Sequence, residues 1–256
     1  MKRLIGTIAV LFLFLIFAFF RSTDQAKKNQ IPTVGILQLI SHPALDEIHR
    51  GIIAALKEEG FISGKNIKID FQNAQNDQSN LKSMSQRFEN EDAAVMIGIA
   101  TPAAQSLANT TKTTPIVMGA ISDPIGAGLV KDLKHPGGNI TGVQHKEPIA
   151  LQLQLIKTIM PELKTIGVLH TSSDDSSAAE VKEFSQLAQK TGIQVKEYTI
   201  TSTNDIQQVS ATMASNVQAI YIPNDNTVAS GFQTVLKNAN QNKIPIFPST
   251  SEMTRQ

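Results

Sequence analysis

With 256 residues, 41% of them apolar and 18% charged, the chain is long enough for one large domain or two small ones, each with a buried core. A formal net charge of +1 provides no strong field, so neither nucleic acid nor an acidic partner is expected. Cysteine is absent, which excludes disulfides, thiolate metal sites, cysteine nucleophiles and a lipid-modified cysteine together.

Lys2 and Arg3 precede the apolar run LIGTIAVLFLFLIFAFF, Leu4 to Phe20, and Arg21 closes it. At about 1.5 Å per residue this run reaches roughly 25 Å, a little under a hydrocarbon core of about 30 Å. Its end, Ala18-Phe19-Phe20-Arg21, is bulky where a cleaved signal would be small. The expectation over residues 1–30 is an uncleaved membrane anchor plus the linker STDQAKKNQ, with a poorly cleaved signal peptide as the alternative. In either case the remainder works outside the cytoplasm, at the cell surface or secreted.

From Thr33 onward, apolar runs alternate with amphipathic ones. TVGILQL reads as a strand buried on both faces, the mark of a parallel sheet. PALDEIHRGIIAALKEEG places Leu45, Ile48, Ile52 and Leu56 on one helical face and stops at Gly60. NIKIDFQ follows as a strand, then a helix through Leu81, Met84 and Phe88, the strand AAVMIGIA, a short helix and the strand PIVMGAI. Alternating strands and helices make the fold class parallel α/β.

The pattern then occurs a second time. VGILQLIS is echoed by IGVLHTSS, IDFQNAQND by EYTITSTND, AVMIGIATPAAQS by AIYIPNDNTVASG, and TPIVMGAIS by IPIFPSTS. Four echoes in register predict two doubly wound parallel-sheet lobes, the first over 31–143 and the second over 144–248, with 249–256 starting a return toward the first. Ligands of such sheets bind beyond the carboxyl ends of the strands. Those ends carry Ser41, Thr101, Ser122 and Asp123 in the first lobe, and Ser172, Ser173, Asn224, Asp225, Asn226 and Ser249 in the second. Facing each other, they would line an interdomain cleft suited to a small zwitterion or polar solute. Each is also what N-capping a helix demands.

Catalytic signatures are missing: the sequence has no Gly-x-Ser-x-Gly elbow, Walker loop or His-Glu-x-x-His pair, and Gly126-Ala127-Gly128 has no third fingerprint glycine. The expectation is a binding protein and not an enzyme, with no cofactor and no metal. His42 and His170 occupy equivalent junctions, with Asp123 or Asp174 as the obvious completions of a metal set.

HPALDEIHRGIIAALKEEGFISGKNIKIDFQNAQND, GIATPAAQSL, PIVMGAISDPIGAGLV and HPGGNITGV together resemble the extracellular substrate-binding proteins of ABC importers, in a branch that includes binders of tryptophan and other aromatic amino acids. The resemblance runs through residues 33 to 250 and implies a type I periplasmic-binding-protein fold. It implies that solute is captured by lobe closure about a hinge and delivered to a permease driven by an ATPase. For an amino acid it implies Asp123 or Asp225 as partner of the ammonium. The carboxylate would take hydroxyls and backbone N–H groups around Ser41, Thr101, Ser122, Ser172 and Ser173. PGGNITGV would carry the hinge crossing, with Gly137 and Gly138 suited to it. Two departures accompany the resemblance. An anchor helix would have to replace the lipid, and TSEMTRQ ends where the chain should cross back, as in a C-terminally short copy. Trp is absent and Tyr occurs twice, and Tyr221 and Phe247 read as core residues. A membrane-anchored sensing domain without transport is the alternative function.

Overall fold

The structure, a computed structural model, describes residues 31–254. The anchor or signal expected over 1–30 lies outside the described residues. Among those described, no helix is long and apolar enough to cross a membrane.

Strand β1 (Thr33–Gln38) leads into α1 (Pro43–Glu58), β2 (Lys68–Asn73), α2 (Gln78–Asn90), β3 (Val95–Ile99), α3 (Thr101–Thr110), β4 (Ile116–Ile121) and β5 (Ile140–Gln144). These strands form one parallel sheet in the order β2-β1-β3-β4-β5. The chain then runs through α4 (Ile149–Ile159), β6 (Thr165–Thr171), α5 (Asp175–Lys190), β7 (Gln194–Ile200), α6 (Ile206–Ala214) and β8 (Ala219–Ile222). Two further helices, α7 (Asn226–Ser230) and α8 (Phe232–Gln241), precede β9 (Ile246–Pro248) and the short α9 (Ser251–Thr254). The second sheet, also parallel, has the order β7-β6-β8-β9. The first four positions of the first sheet, β2-β1-β3-β4, correspond to β7-β6-β8-β9, with β5 as an additional edge strand; this is the duplication visible in the sequence.

The central strands are apolar and β-branched because helices cover both faces. In β1 every residue after Thr33 is buried, and β6 repeats this after Thr165. In the first lobe Ile36, Leu37, Phe88, Ile99 and Leu107 share one core; burial of each such side chain is worth about 1.5–3 kcal/mol. In the second lobe Phe184 stacks on Tyr221 with ring centroids 4.0 Å apart. The Tyr221 hydroxyl donates to Gln152 Oε1 at 2.7 Å, and Phe247 packs against the same core. Of the two aromatic residues expected in the core, Tyr221 is fully buried and Phe247 is half-buried at its edge.

Gly137 and Gly138 do not carry the passage between the sheets. They lie just before Ile140, which pairs with Ile116 at the start of β4, so they sit at the end of the sheet remote from the strands' carboxyl ends. The passage falls after β5, at His145-Lys146-Glu147-Pro148, and α4 then joins the second lobe's core through Ile149, Leu153 and Ile156. Within β5 the special glycine is Gly142, with φ 149°; an added Cβ there would run into the backbone of Met118.

Candidate functional site

Carboxyl ends of the strands from both lobes meet across a closed cleft that encloses about 300 Å³. The first lobe contributes His42, Pro43, Ala44, Leu45, Glu47, Ile48, Ala100, Thr101, Ala120 and Ser122; the second contributes Ser176, Asn224, Asn226, Ala229, Thr250 and Met253. His145, from the passage between the sheets, completes the wall. The lining mixes aliphatic side chains with polar tips in about equal number, and its only aromatic rings are imidazoles; its one carboxylate, Glu47, pairs with Arg50.

Polar side chains, neutral except for Asp175, draw the lobes together. His42 Nε2 lies 3.0 Å from Asn226 Oδ1, and Thr101 Oγ1 lies 3.1 Å from Ser176 Oγ. Asn224 Nδ2 donates to Ser122 Oγ at 3.3 Å, Gln105 Nε2 to Asp175 Oδ2 at 2.8 Å, and Thr227 Oγ1 to Asn76 Oδ1 at 3.2 Å. Each such bond is worth about 0.5–1.5 kcal/mol net.

Helix ends divide unequally between the lobes. In the first lobe α1 and α3 start at the cavity, each with a proline in its first turn and no side-chain cap. In the second lobe Asp174 caps α5 by accepting from Ser176 N and Ser177 N, and Asp225 caps α7 by accepting from Val228 N. Uncapped N-termini favour an anion, so the first lobe is the side for a carboxylate.

Two non-glycine residues on the first-lobe wall have left-handed φ values: Ala100 (φ 77°, ψ 155°) and Ala120 (φ 56°). Ala100 ends β3 where the chain turns at once into α3, so tightly that a Cβ on Gly98 would come 2.7 Å from Ala104 Cα. Ala120 sits in an irregularity of the β4–β5 pairing between Met118 and Ile121. Such backbone costs about 1–3 kcal/mol per residue and is held only where packing over-determines it.

Of the residues expected at the site, Thr101, Ser122, Asn224 and Asn226 line the cavity. Ser41 instead donates to Asp46 Oδ2 at 2.8 Å. Hydrogen bonds from Gln38 and Ser41 and the neighbouring His42 hold that Asp46 carboxyl below its ordinary value, although burial works in the opposite direction. Ser173 opens onto an outer groove beside Pro102 and Gln105, and Ser172 is an exposed residue whose backbone N–H donates to Ile200 O at 2.9 Å. Ser249 is buried and does not line the cavity, although its neighbour Thr250 does. Asp123 Oδ1 accepts from Gly126 N at 2.9 Å, and its side chain is off the main cavity. Asp225 is not available for an ammonium. It is 1% exposed, and its oxygens already accept from Thr171 N (2.6 Å), Thr171 Oγ1 (2.8 Å) and Val228 N (2.9 Å). His42 and His170 also diverge, since His170 Nε2 pairs with Glu197 Oε1 at 2.7 Å.

Sequence reasoning overlooked the strained alanines, Ser176, and two buried carboxylates, Glu147 and Glu180. The signal for Glu180 was available. It stands four residues before Phe184 and four after Ser176, on the buried stripe of α5 where an apolar residue belongs. Burial pushes its carboxyl up to about 7, with Glu147 and Asp174 adding repulsion against the hydrogen bonds from Asn224 N and the Ser122 side chain. Burial likewise raises Asp174 to about 7, reinforced by the adjacent Asp225.

Residues 33–256 match the family described as ABC transporter substrate binding protein. The chain belongs to this family. A tyrosine-binding protein of Clostridioides difficile (strain R20291) is 40% identical over 229 residues, covering 90% of this chain, which spans 66% of that protein's length. A Streptococcus pneumoniae ABC domain in complex with L-Trp is 47% identical, with TM-score 0.84, over 88% of this chain and 76% of that one. The ligand-free, open structure of a substrate-binding protein with adhesive properties from Clostridium difficile is 39% identical over 88% of this chain and 77% of that one. Its TM-score is 0.60. At similar identity and coverage, this substrate-binding protein thus superposes better on the ligand-bound relative than on the open one, in keeping with its closed cleft. The fold is that of the type I periplasmic binding proteins.

Proposed function

We propose that this substrate-binding protein captures an aromatic amino acid, tryptophan or tyrosine, by lobe closure and delivers it to an ABC permease and its ATPase. It does so outside the cytoplasm, held to the membrane by its N-terminal apolar run. The observation that carries the reading is the interlobe cavity of about 300 Å³, with both aliphatic and polar side chains in its wall, whose first-lobe side presents two uncapped helix N-termini. The volume lies at the small end of ligand sites, sized for one amino acid. The helix ends suit its carboxylate, with the Thr101 and Ser122 hydroxyls beside them. The L-Trp complex and the tyrosine-binding relative favour an aromatic side chain in the aliphatic part.

Thermal melts of the purified chain with and without each amino acid test this. A ligand at 100 times its Kd stabilises by about 2.7 kcal/mol. The expected outcome is a higher melting temperature with tryptophan or tyrosine and none with lysine or glutamate. A cooperative melt that no aromatic amino acid moves overturns the ligand class.

A further inference from the structure

Beside the main cavity lies a smaller one of about 170 Å³. Ser122 and Ser176 line both, so their side chains form the partition between them. The smaller cavity is acidic, with Asp123, Glu147, Glu180 and Glu183 in its wall and Lys146 as the basic residue. Most of this charge is already engaged. Lys146 Nζ and Glu183 Oε2 pair at 3.8 Å, both side chains being well exposed. Glu147 holds His145 at 2.7 Å and Gln152 at 3.3 Å, one on each oxygen. Asp123 Oδ1 accepts from Gly126 N.

Glu180 differs. The residue is 6% exposed; Oε2 accepts from Asn224 N at 2.9 Å, whereas Oε1 is buried with no well-formed hydrogen bond, the Ser122 side chain being the neighbouring donor that eases the charge. A buried carboxylate oxygen without a hydrogen bond of its own is costly, and a cationic donor is what would recover that cost. Ser122 and Ser176 line the main cavity as well, and Asn224, whose backbone N–H holds Glu180, lines the main cavity too. A cation attached to a ligand in the main cavity therefore has only the hydroxyl partition to pass.

We infer that Glu180 receives the ammonium group of the bound amino acid, its Oε1 accepting a charge-assisted hydrogen bond at the boundary of the two cavities. This rests on the amino-acid reading above, and it reassigns the role that sequence alone gave to Asp123 or Asp225. The two polar ends of the ligand then go to opposite lobes, the carboxylate to the helix ends of the first and the ammonium to α5 of the second. Glu180 is thereby a specificity determinant, selecting α-amino acids over the corresponding carboxylic acids.

The test compares L-tyrosine and L-tryptophan with their des-amino analogues, 3-(4-hydroxyphenyl)propionate and indole-3-propionate, by calorimetric titration of the wild-type chain and of Glu180→Gln. The wild type is expected to prefer the amine. Glu180→Gln, which keeps the shape and the bond from Asn224 N, is expected to lose roughly 100-fold or more in affinity for the amino acids while holding the des-amino acids as before. A melt of the unliganded variant checks that it folds, and Glu180→Asp, which restores charge on a shorter stem, should recover part of the preference. A variant that keeps the full amine preference overturns the inference and leaves the amino-acid reading intact. A wild-type chain that binds none of the four compounds overturns both.

Discussion

Asp225 shows how a residue of the right type in the right loop can serve the protein and not the ligand. Its carboxylate holds Thr171 at the end of β6 and the first turn of α7 at once, with no oxygen to spare. Asp225→Ala orphans buried donors, so it is expected to destabilise the chain by about 1–3 kcal/mol while leaving the affinity of the folded protein within a few-fold. Urea unfolding and ligand titration read the two separately, and a large affinity loss at unchanged stability would return Asp225 to the binding site. Ala100 makes the converse case, in which an unremarkable residue carries the strain. Its φ 77°, ψ 155° is glycine territory. Ala100→Gly should therefore raise stability by about 1 kcal/mol, offset in part by the greater freedom glycine gives the unfolded chain. An unchanged or lower denaturation midpoint would mean that the cavity wall does not store strain there.

At the scale of elements, the sheets were legible because their strands are long apolar runs covered on both sides: TVGILQ and TIGVLH announce themselves by composition alone. The duplication gave the equivalence of the lobes, and four of the cavity-lining side chains, Thr101, Ser122, Asn224 and Asn226, follow from their position after a strand. Position after a strand could not say which polar side chains turn inward to cap and which face the partner lobe. Asp174 and Asp225 cap, whereas Thr101 and Asn226 reach across. That choice depends on the three-dimensional approach of the two sheets, which local sequence does not encode. The hinge was misplaced for a related reason. Two glycines signal a turn, but Gly137-Gly138 turns at the wrong end of the sheet, and the actual passage, His145 to Pro148, contains no glycine. Packing within an element is easier to forecast. Phe184 on α5 is fully buried against Tyr221, and Phe184→Ala is expected to cost about 3–5 kcal/mol, read as a fall in the urea midpoint. A loss under about 1 kcal/mol would show that the second lobe's core can collapse around the gap.

For the molecule as a whole, acidity should couple to stability. Asp174 and Glu180 have carboxyls raised to about 7 from ordinary values of 3.8 and 4.5, so between those limits the folded chain holds more protons than the unfolded one. Stability from these groups is then fully present below about pH 4 and is lost as pH rises toward 7. The urea midpoint of the unliganded chain should be higher at pH 5 than at pH 8, and Glu180→Gln should flatten that slope. A wild-type midpoint that climbs from pH 5 to pH 8 would contradict the burial of both carboxyls.

Among the described residues the two sheets are joined by one covalent passage, His145 to Pro148. A tether of four residues confines each lobe to the immediate neighbourhood of the other, an effective concentration in the millimolar range or above. Contacts far too weak to associate two separate molecules, such as Thr101 to Ser176 or Asn224 to Ser122, then need only tip an intramolecular balance. On the proposed reading, a solute adding a few kilocalories to one side of that balance would convert nearly the whole population, so with this strap a handful of hydrogen bonds would suffice as a latch.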